Sequence, residues 1–129
     1  MTDLELPPEE YVVVAGGILD ALGLRPANDI DLVVSEALFE HLQGMGDWQE
    51  GRHPDLDIPM LTHGPVEAFL TWDEPDFRPN LPALKEREQV IEGIPYAGLR
   101  RVREWKVRKG RDKDKTDVAL IDGYWDSQA

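Results

Sequence analysis

The chain contains no cysteine among its 129 residues. A disulfide framework and thiolate metal sites are therefore excluded, and the composition suits a reducing compartment such as the cytoplasm. No apolar run approaches the length that crosses a membrane. The N-terminal residues 1–5 also lack the basic and apolar regions of a signal peptide. We therefore expect a cytoplasmic protein with no membrane partner.

Basic residues are scarce. The chain has 14 Lys and Arg against 26 Asp and Glu, which gives a net charge of −12. Nine of the 14 basic residues lie in residues 100–117. The acidic remainder disfavours nucleic-acid binding by the whole surface, because the phosphate backbone repels it. A local cationic patch on residues 100–117 remains possible.

Signature motifs of several enzyme classes are missing. The sequence has no Walker A motif and no Gly-x-Ser-x-Gly motif, so a P-loop nucleotidase and a serine hydrolase of the usual kind are unsupported. The three histidines, His41, His53 and His63, have no spacing typical of a zinc site.

The length and the hydrophobic content of 41% predict one domain with a modest core. We expect an acidic leader over 1–10, the domain over 11–125 and a tail over 126–129. Apolar patterning predicts strands over 11–16, 29–34 and 66–72 and near 90–94, with a surface loop over 73–80. It predicts helices over 18–22, 36–43, around 84–87, and over 99–109 and 113–125. In the last helix the expected apolar contacts are Val118, Leu120, Ile121, Tyr124 and Trp125.

A double glycine follows the first predicted strand. Gly16 and Gly17 stand between that strand and the first predicted helix. Glycines at such a junction let the backbone approach a polyphosphate, and a helix N-terminus favours anions. The alternative is a tight strand–helix turn that has no room for a Cβ atom.

Three carboxylates fall in or near apolar strands. Asp29 and Asp31 are two residues apart, so in a strand both side chains point to the same face. Carboxylate pairs of this kind bind Mg²⁺ together with substrate phosphates, although a solvated strand end is an equal alternative. Glu67, in the third apolar strand, would complete the site unless it lies on an exposed edge. Asp55 and Asp57 are weaker candidates for the same role.

The basic segment contains a second cluster. Asp114 and Asp117 are three residues apart and share one face of a helix. Their ordinary role is to favour the helix dipole and to pair with Arg111 and Lys113. The functional interpretation is that Lys106 or Arg111 contacts substrate phosphate.

Taken in order, these motifs resemble the nucleotidyltransferase fold of the DNA polymerase β superfamily over roughly residues 11–122. The C-terminal part resembles the end of small bacterial members, the minimal and the abortive-infection toxin-type nucleotidyltransferases. The resemblance rests on Ala15-Gly16-Gly17, Gly23-Leu24-Arg25, Asp29-Ile30-Asp31-Leu32, Glu67, Lys106, Arg111-Asp112-Lys113-Asp114 and Asp117.

The resemblance implies an α/β (α+β) fold, a small mixed β-sheet with helices packed on it. It implies Mg²⁺-dependent transfer of a nucleoside monophosphate from an NTP to an acceptor hydroxyl, with release of pyrophosphate. Two Mg²⁺ ions would be held by Asp29 and Asp31, with Glu67 binding the second ion or deprotonating the acceptor. The implied nucleotide-binding residues are Gly16, Gly17, Lys106 and Arg111.

Two other functions stay open. One is a toxin–antitoxin component that acts on tRNA or a partner protein through the basic segment. The other is a catalytically silent nucleotide-binding module, because Ile18 stands where many such proteins have Ser or Thr, and Glu67 replaces the more usual Asp. The acceptor is undetermined among RNA, protein and small molecule. The short chain favours a homo-oligomer or a partner protein that completes the site.

Overall fold

The computed structural model describes residues 6–54, 57–72 and 80–128. Within these ranges the protein is a mixed α/β structure with one seven-stranded sheet and five α-helices. The strands are β1 (Tyr11–Val14), β2 (Ile30–Val34), β3 (Gln49–Arg52), β4 (Pro59–His63), β5 (Val66–Phe69), β6 (Gln89–Ile91) and β7 (Ile94–Tyr96). The helices are α1 (Gly17–Ala21), α2 (Glu36–Met45), α3 (Leu81–Lys85), α4 (Leu99–Lys109) and α5 (Asp112–Gln128), and Pro8–Glu10 forms one 3₁₀ turn.

The strand order in the sheet is β3-β4-β5-β2-β1-β7-β6. Two pairs are parallel, β2 with β5 and β1 with β7, and the remaining neighbours are antiparallel. All four residues of β1 are buried, which explains why this strand reads as a continuous apolar run and not as an alternating one. The α+β class expected from the sequence is confirmed, with a larger sheet than the small one predicted.

The β3–β4 hairpin is not among the strands predicted from the sequence. All four residues of β3 are exposed, so the strand has no apolar alternation to reveal it. It forms because its backbone pairs in register with β4, from Gln49 opposite Thr62 to Arg52 opposite Pro59. The predicted third strand over 66–72 is also shorter than expected, ending as β5 at Phe69.

A tight hairpin replaces the single strand predicted near 90–94. β6 and β7 pair antiparallel, with Ile91 opposite Ile94. The two intervening residues, Glu92 and Gly93, have φ values of 52° and 81°. Positive φ at both positions is the requirement of the type I′ turn, whose twist matches that of the strands it joins.

Helix α5 differs from its prediction in what it buries. It runs to Gln128, three residues past the predicted end at Trp125. Its buried residues are Asp114, Asp117 and Ile121, so only one of the expected apolar contacts is fully buried. Trp125 is 38% exposed. The inward face of this helix is therefore largely ionic at its N-terminal half.

Several predictions fall on residues outside the described ranges. They are the first half of the leader, Asp55 and nearly all of the loop over 73–80. In the described part of the chain, none of the helices combines the length and the apolar character needed to cross a bilayer.

We expect Gly17→Ala to lower the free energy of unfolding by about 1–3 kcal/mol, the usual cost of overpacking a core. A Cβ atom at Gly17 would lie 2.4 Å from Cγ1 of the buried Val13. Urea unfolding measures the change. Gly123→Ala is the control, because Gly123 lies on α5 with open space around it. This control should gain about 0.5–1 kcal/mol from the lower backbone entropy of Ala. Equal shifts in both variants would contradict the packing argument.

Candidate functional site

The double-glycine turn connects β1 to α1 and borders an open cleft. Ala15, the first residue after β1, has a φ of 58°, a left-handed conformation that is strained for a residue with a Cβ atom. Gly16 has an ordinary φ of −80°. A Cβ atom there would lie 2.5 Å from Nη2 of Arg25, so the Arg25 side chain would have to shift to admit one. The turn lines the cleft, with the Arg25 guanidinium next to Gly16.

The central carboxylate of the site is Asp31. In the sheet it pairs with Val14 of β1 on one side and with Glu67 of β5 on the other. The Glu67 side chain is close enough to Asp31 to raise the pKa of its carboxyl group. Asp29 directly precedes β2 and is exposed, so it stands at the strand end and not inside the strand as predicted.

The environment of Asp31 opposes its ionisation. Burial raises the pKa of Asp31, and the Glu67 charge, a hydrogen bond from protonated Asp31 to Glu67 and the Asp29 charge raise it further, to about 7. Lys113 acts in the opposite direction. A cation bound beside Asp31 would favour its ionised form. The arrangement is therefore one that a bound cation would stabilise.

The cleft next to Asp31 has a volume of about 720 Å³. Its lining combines carboxylates, cationic side chains and two tryptophans. The lining residues are Ala15, Gly16, Arg25, Pro26, Ala27, Asn28, Asp29, Asp31, His53, Trp72, Trp105, Lys106, Lys109, Arg111, Lys113, Thr116 and Asp117. Both signs of charge in one cleft suit a ligand that carries both an anion and a metal cation.

Several charged side chains of the cleft form an ionic network. Arg25 donates two hydrogen bonds to Asp117, from Nε at 2.6 Å and from Nη2 at 2.8 Å. Lys106 Nζ lies 2.8 Å from Asp117 Oδ2 and 3.6 Å from Asp114 Oδ1. Arg111 donates from Nε to Asp114 at 2.6 Å. The side chains of Lys106, Asp114 and Asp117 are 5%, 0% and 4% exposed.

This network holds the two aspartates ionised. Burial raises the pKa of Asp117, but hydrogen bonds from Arg25 and Lys106 outweigh that effect, so the pKa falls below its usual value. Burial likewise raises the pKa of Asp114, and the hydrogen bonds and charge of Arg111 reverse the shift. The network ties α4 and α5 to the loop before β2, since Arg25 and Asp117 are 92 positions apart.

Two tryptophans lie next to the cationic side chains of the cleft. The rings of Trp72 and Trp105 have centroids 5.3 Å apart. Three cations surround the Trp105 ring, with Lys106 Nζ, Lys109 Nζ and Arg111 Cζ at 5.4, 5.7 and 5.6 Å from its centroid. Cation–π attraction at these distances helps to hold the cationic side chains at the wall of the cleft.

Most residues predicted from the sequence converge here. Asp29, Asp31, Gly16, Lys106 and Arg111 line the cleft. Glu67 is not part of the lining, yet it reaches the site through its contact with Asp31. Gly17 lies outside the lining and packs against the core. Asp57 is exposed and pairs with Arg52, away from the carboxylate pair.

The structure adds side chains that the pattern analysis did not assign to the site. They are Arg25, His53, Trp72, Trp105, Lys109 and Lys113. The Gly23-Leu24-Arg25 pattern was the available signal for Arg25, but its partner Asp117 cannot be inferred from spacing. Ile18 is 1% exposed and packs in the core, so that position contributes no side chain to the cleft.

Asp31, Glu67 and Asp29 are the residues that could hold a metal. Across residues 6–54, 57–72 and 80–128, no three His, Asp or Glu side chains are arranged as a ready-made metal cage. Mg²⁺ does not require one, because it commonly binds through one or two carboxylates and completes its octahedron with water and substrate phosphates. The closely paired oxygens of Asp31 and Glu67 fit that pattern.

Comparison with known proteins identifies no relative: no family model, no curated protein and no solved structure matches the chain. The function must therefore be inferred from the cleft itself.

Proposed function

We propose that this protein is a Mg²⁺-dependent nucleotidyltransferase that moves a nucleoside monophosphate from an NTP to an acceptor hydroxyl, releasing pyrophosphate. The observation that carries the proposal is Asp31, a half-buried carboxyl group with Glu67 beside it in the sheet, which lines the same cleft as several cationic side chains. A magnesium–triphosphate complex has the matching charges, cationic at the metal and anionic along the phosphates. The Gly16 turn lines the same cleft.

In this proposal Asp29 and Asp31 would hold Mg²⁺, and Glu67 would bind a second ion or take the acceptor proton. Bound Mg²⁺ would supply positive charge to the α-phosphate and its leaving group. The acceptor oxygen forms a bond to the α-phosphorus as the bond from that phosphorus to the bridging oxygen breaks. Pyrophosphate leaves with that oxygen, and the acceptor proton passes to a carboxylate.

Direct transfer from the nucleotide to the acceptor needs little from the protein beyond positioning and charge. One cleft that combines carboxylates and cations is therefore sufficient. The substrates and the metal are those of the cytoplasm, which is the compartment that we propose. The acceptor is RNA, protein or a small molecule, and a second copy or a partner protein would complete its binding surface.

The test of the proposal follows the label of an NTP. The protein is incubated with each NTP, labelled on either the α- or the γ-phosphate, in the presence of Mg²⁺ and fractionated cell extract. We expect α-label, and no γ-label, to become attached to one class of acceptor. Removal of Mg²⁺ with a chelator should abolish the transfer, and added Mg²⁺ should restore it.

Two outcomes would contradict this proposal. Transfer of γ-label would indicate a kinase. Binding of NTP that is insensitive to Mg²⁺, with no transfer to any fraction, would favour a catalytically silent nucleotide-binding module.

A further inference from the structure

We propose that Lys113, which neither motif spacing nor the resemblance assigned to the nucleotide, is the cation that contacts the substrate phosphates directly. The inference rests on the proposed function for the identity of the anion. It reassigns the phosphate contact from Lys106 and Arg111, because both of these side chains form ion pairs inside the protein.

Lys106 is committed to the protein interior. Its Nζ contacts carboxylate oxygens of both Asp117 and Asp114, and its side chain is 5% exposed. If this ammonium group moved to a ligand, the negative charges of two buried aspartates would lose a cationic partner. The native state would be destabilised as a result. Lys106 therefore acts as an internal partner for α5.

Arg111 is committed in a similar way. Its Nε and Nη2 atoms both donate to Asp114, at 2.6 and 3.2 Å. A guanidinium group that donates through two nitrogens to one carboxylate is held in a fixed orientation by that carboxylate. The charge that Arg111 presents to the cleft is thus largely balanced by Asp114.

Lys113 differs from both. It is exposed, it lines the cleft, and within the described residues it has no ion pair or hydrogen bond through its side chain. Lys113 and Asp31 line the same cleft, and the Lys113 charge lowers the pKa of the Asp31 carboxyl, against the other contributions. An uncompensated cation in that position is available to a phosphate that a metal at Asp31 would hold.

The side-chain chemistry of lysine suits this role. The ammonium group is a compact charge with three donors on a flexible stem, so it can follow a polyphosphate as the ligand binds or leaves. Neighbouring Lys115 provides a natural comparison, because it is exposed on the same helix and does not line the cleft.

The test compares Lys113→Ala with Lys115→Ala in the full chain. Calorimetry measures the binding of three probes in Mg²⁺: inorganic tripolyphosphate, a non-hydrolysable NTP analogue and the corresponding nucleoside. We expect Lys113→Ala to weaken binding of the first two by about 10- to 100-fold, the value of one charge-assisted hydrogen bond. Binding of the nucleoside should not change. Lys115→Ala should bind all three probes within about 2-fold of the wild type.

Lys113→Arg is the rescue variant and should recover most of the lost affinity, since it keeps the charge. Near-ultraviolet circular dichroism checks that each variant is folded, and Lys113→Gln replaces Lys113→Ala if that variant is not. Equal affinities of the Lys113 and Lys115 variants for tripolyphosphate would overturn the inference, as would a wild type that binds none of the phosphate probes. The proposed function is judged separately by label transfer. A wild type that binds tripolyphosphate through Lys113 but transfers no nucleotide would refute the enzyme and keep this inference.

Discussion

In the proposed nucleotidyltransferase, Asp31→Asn is expected to lower nucleotide transfer by about 100-fold or more, the loss typical of removing one group that stabilises charge in a transition state. The amide keeps the shape of the side chain but would bring no negative charge to the proposed Mg²⁺. The same variant should be more stable than the wild type in metal-free buffer at pH 8. Loss of function together with gain of stability is the mark of a residue retained for activity.

The pH dependence follows from the raised pKa of Asp31. Its value rises from 3.8 to about 7 on folding. Between these two values the native state holds a proton that the unfolded chain has released, so stability falls as the pH rises. Above pH 7 Asp31 is ionised in the native state, and its full destabilising effect on that state is present. Asp31→Asn removes it, and the gain should grow from nothing near pH 4 to about 1–3 kcal/mol at pH 8.

Urea unfolding from pH 4 to pH 8, with a chelator or with Mg²⁺, measures this gain. Mg²⁺ should stabilise the wild type and have little effect on Asp31→Asn, because a ligand of the native state raises its stability. Asp47→Asn is the control, since Asp47 is exposed and does not line the cleft. A variant at Asp31 that transfers nucleotide at the wild-type rate would remove Asp31 from the catalytic site.

Asp117→Ala is expected to lower the free energy of unfolding by about 3–5 kcal/mol, the usual cost of leaving a buried partner unpaired. Its carboxylate accepts from Arg25 and Lys106 in a nearly fully buried position. Removal leaves Lys106, 5% exposed, with the 3.6 Å contact to Asp114 as its remaining ion pair among the described residues. Small domains have total stabilities of roughly 5–15 kcal/mol, so this single change brings the protein close to unfolding.

Asp122→Ala is a matched control on the same helix. Asp122 also accepts two hydrogen bonds from one arginine, Arg103, at 2.8 and 3.1 Å. Its side chain is 46% exposed, so water replaces the lost contact and the loss of stability should be much smaller. Similar losses in Asp117→Ala and Asp122→Ala would show that burial of the network is not what stabilises it.

Acid titration gives a second measure of the network. The pKa of Asp117 is lower in the folded protein than in the unfolded chain, because the hydrogen bonds from Arg25 and Lys106 outweigh the effect of burial. Its contribution is complete above the unfolded value of about 4 and is lost as the pH falls toward the folded value. Asp117→Ala should therefore lose less stability than the wild type when the pH falls below 4.

Local patterns were sufficient for several elements. The Asp29-x-Asp31 spacing predicted that the two side chains meet, and both line the cleft, although Asp29 lies just before β2 and not inside it as predicted. The buried β1 was visible as a run of valines, and α2 through its cap at Ser35, whose Oγ accepts from the Leu38 amide at 3.0 Å. The same reasoning could not predict the exposed β3, because a strand that is held by backbone pairing alone needs no pattern of apolar side chains.

The sequence by itself determined the α+β class, the glycine turn and the nearness of Asp29 to Asp31, because each depends on propensities and on spacings within one element. Only the tertiary structure decided which distant residues these groups contact. Parallel pairing of β2 with β5 places Glu67 beside Asp31 across 36 positions of chain. The ion pairs of Lys106 with Asp117 and Asp114 hold its ammonium group in the interior, whereas Lys113 lines the cleft. Contacts between distant segments depend on the whole packing of the chain, so no local pattern encodes which cation is buried and which is available to a ligand.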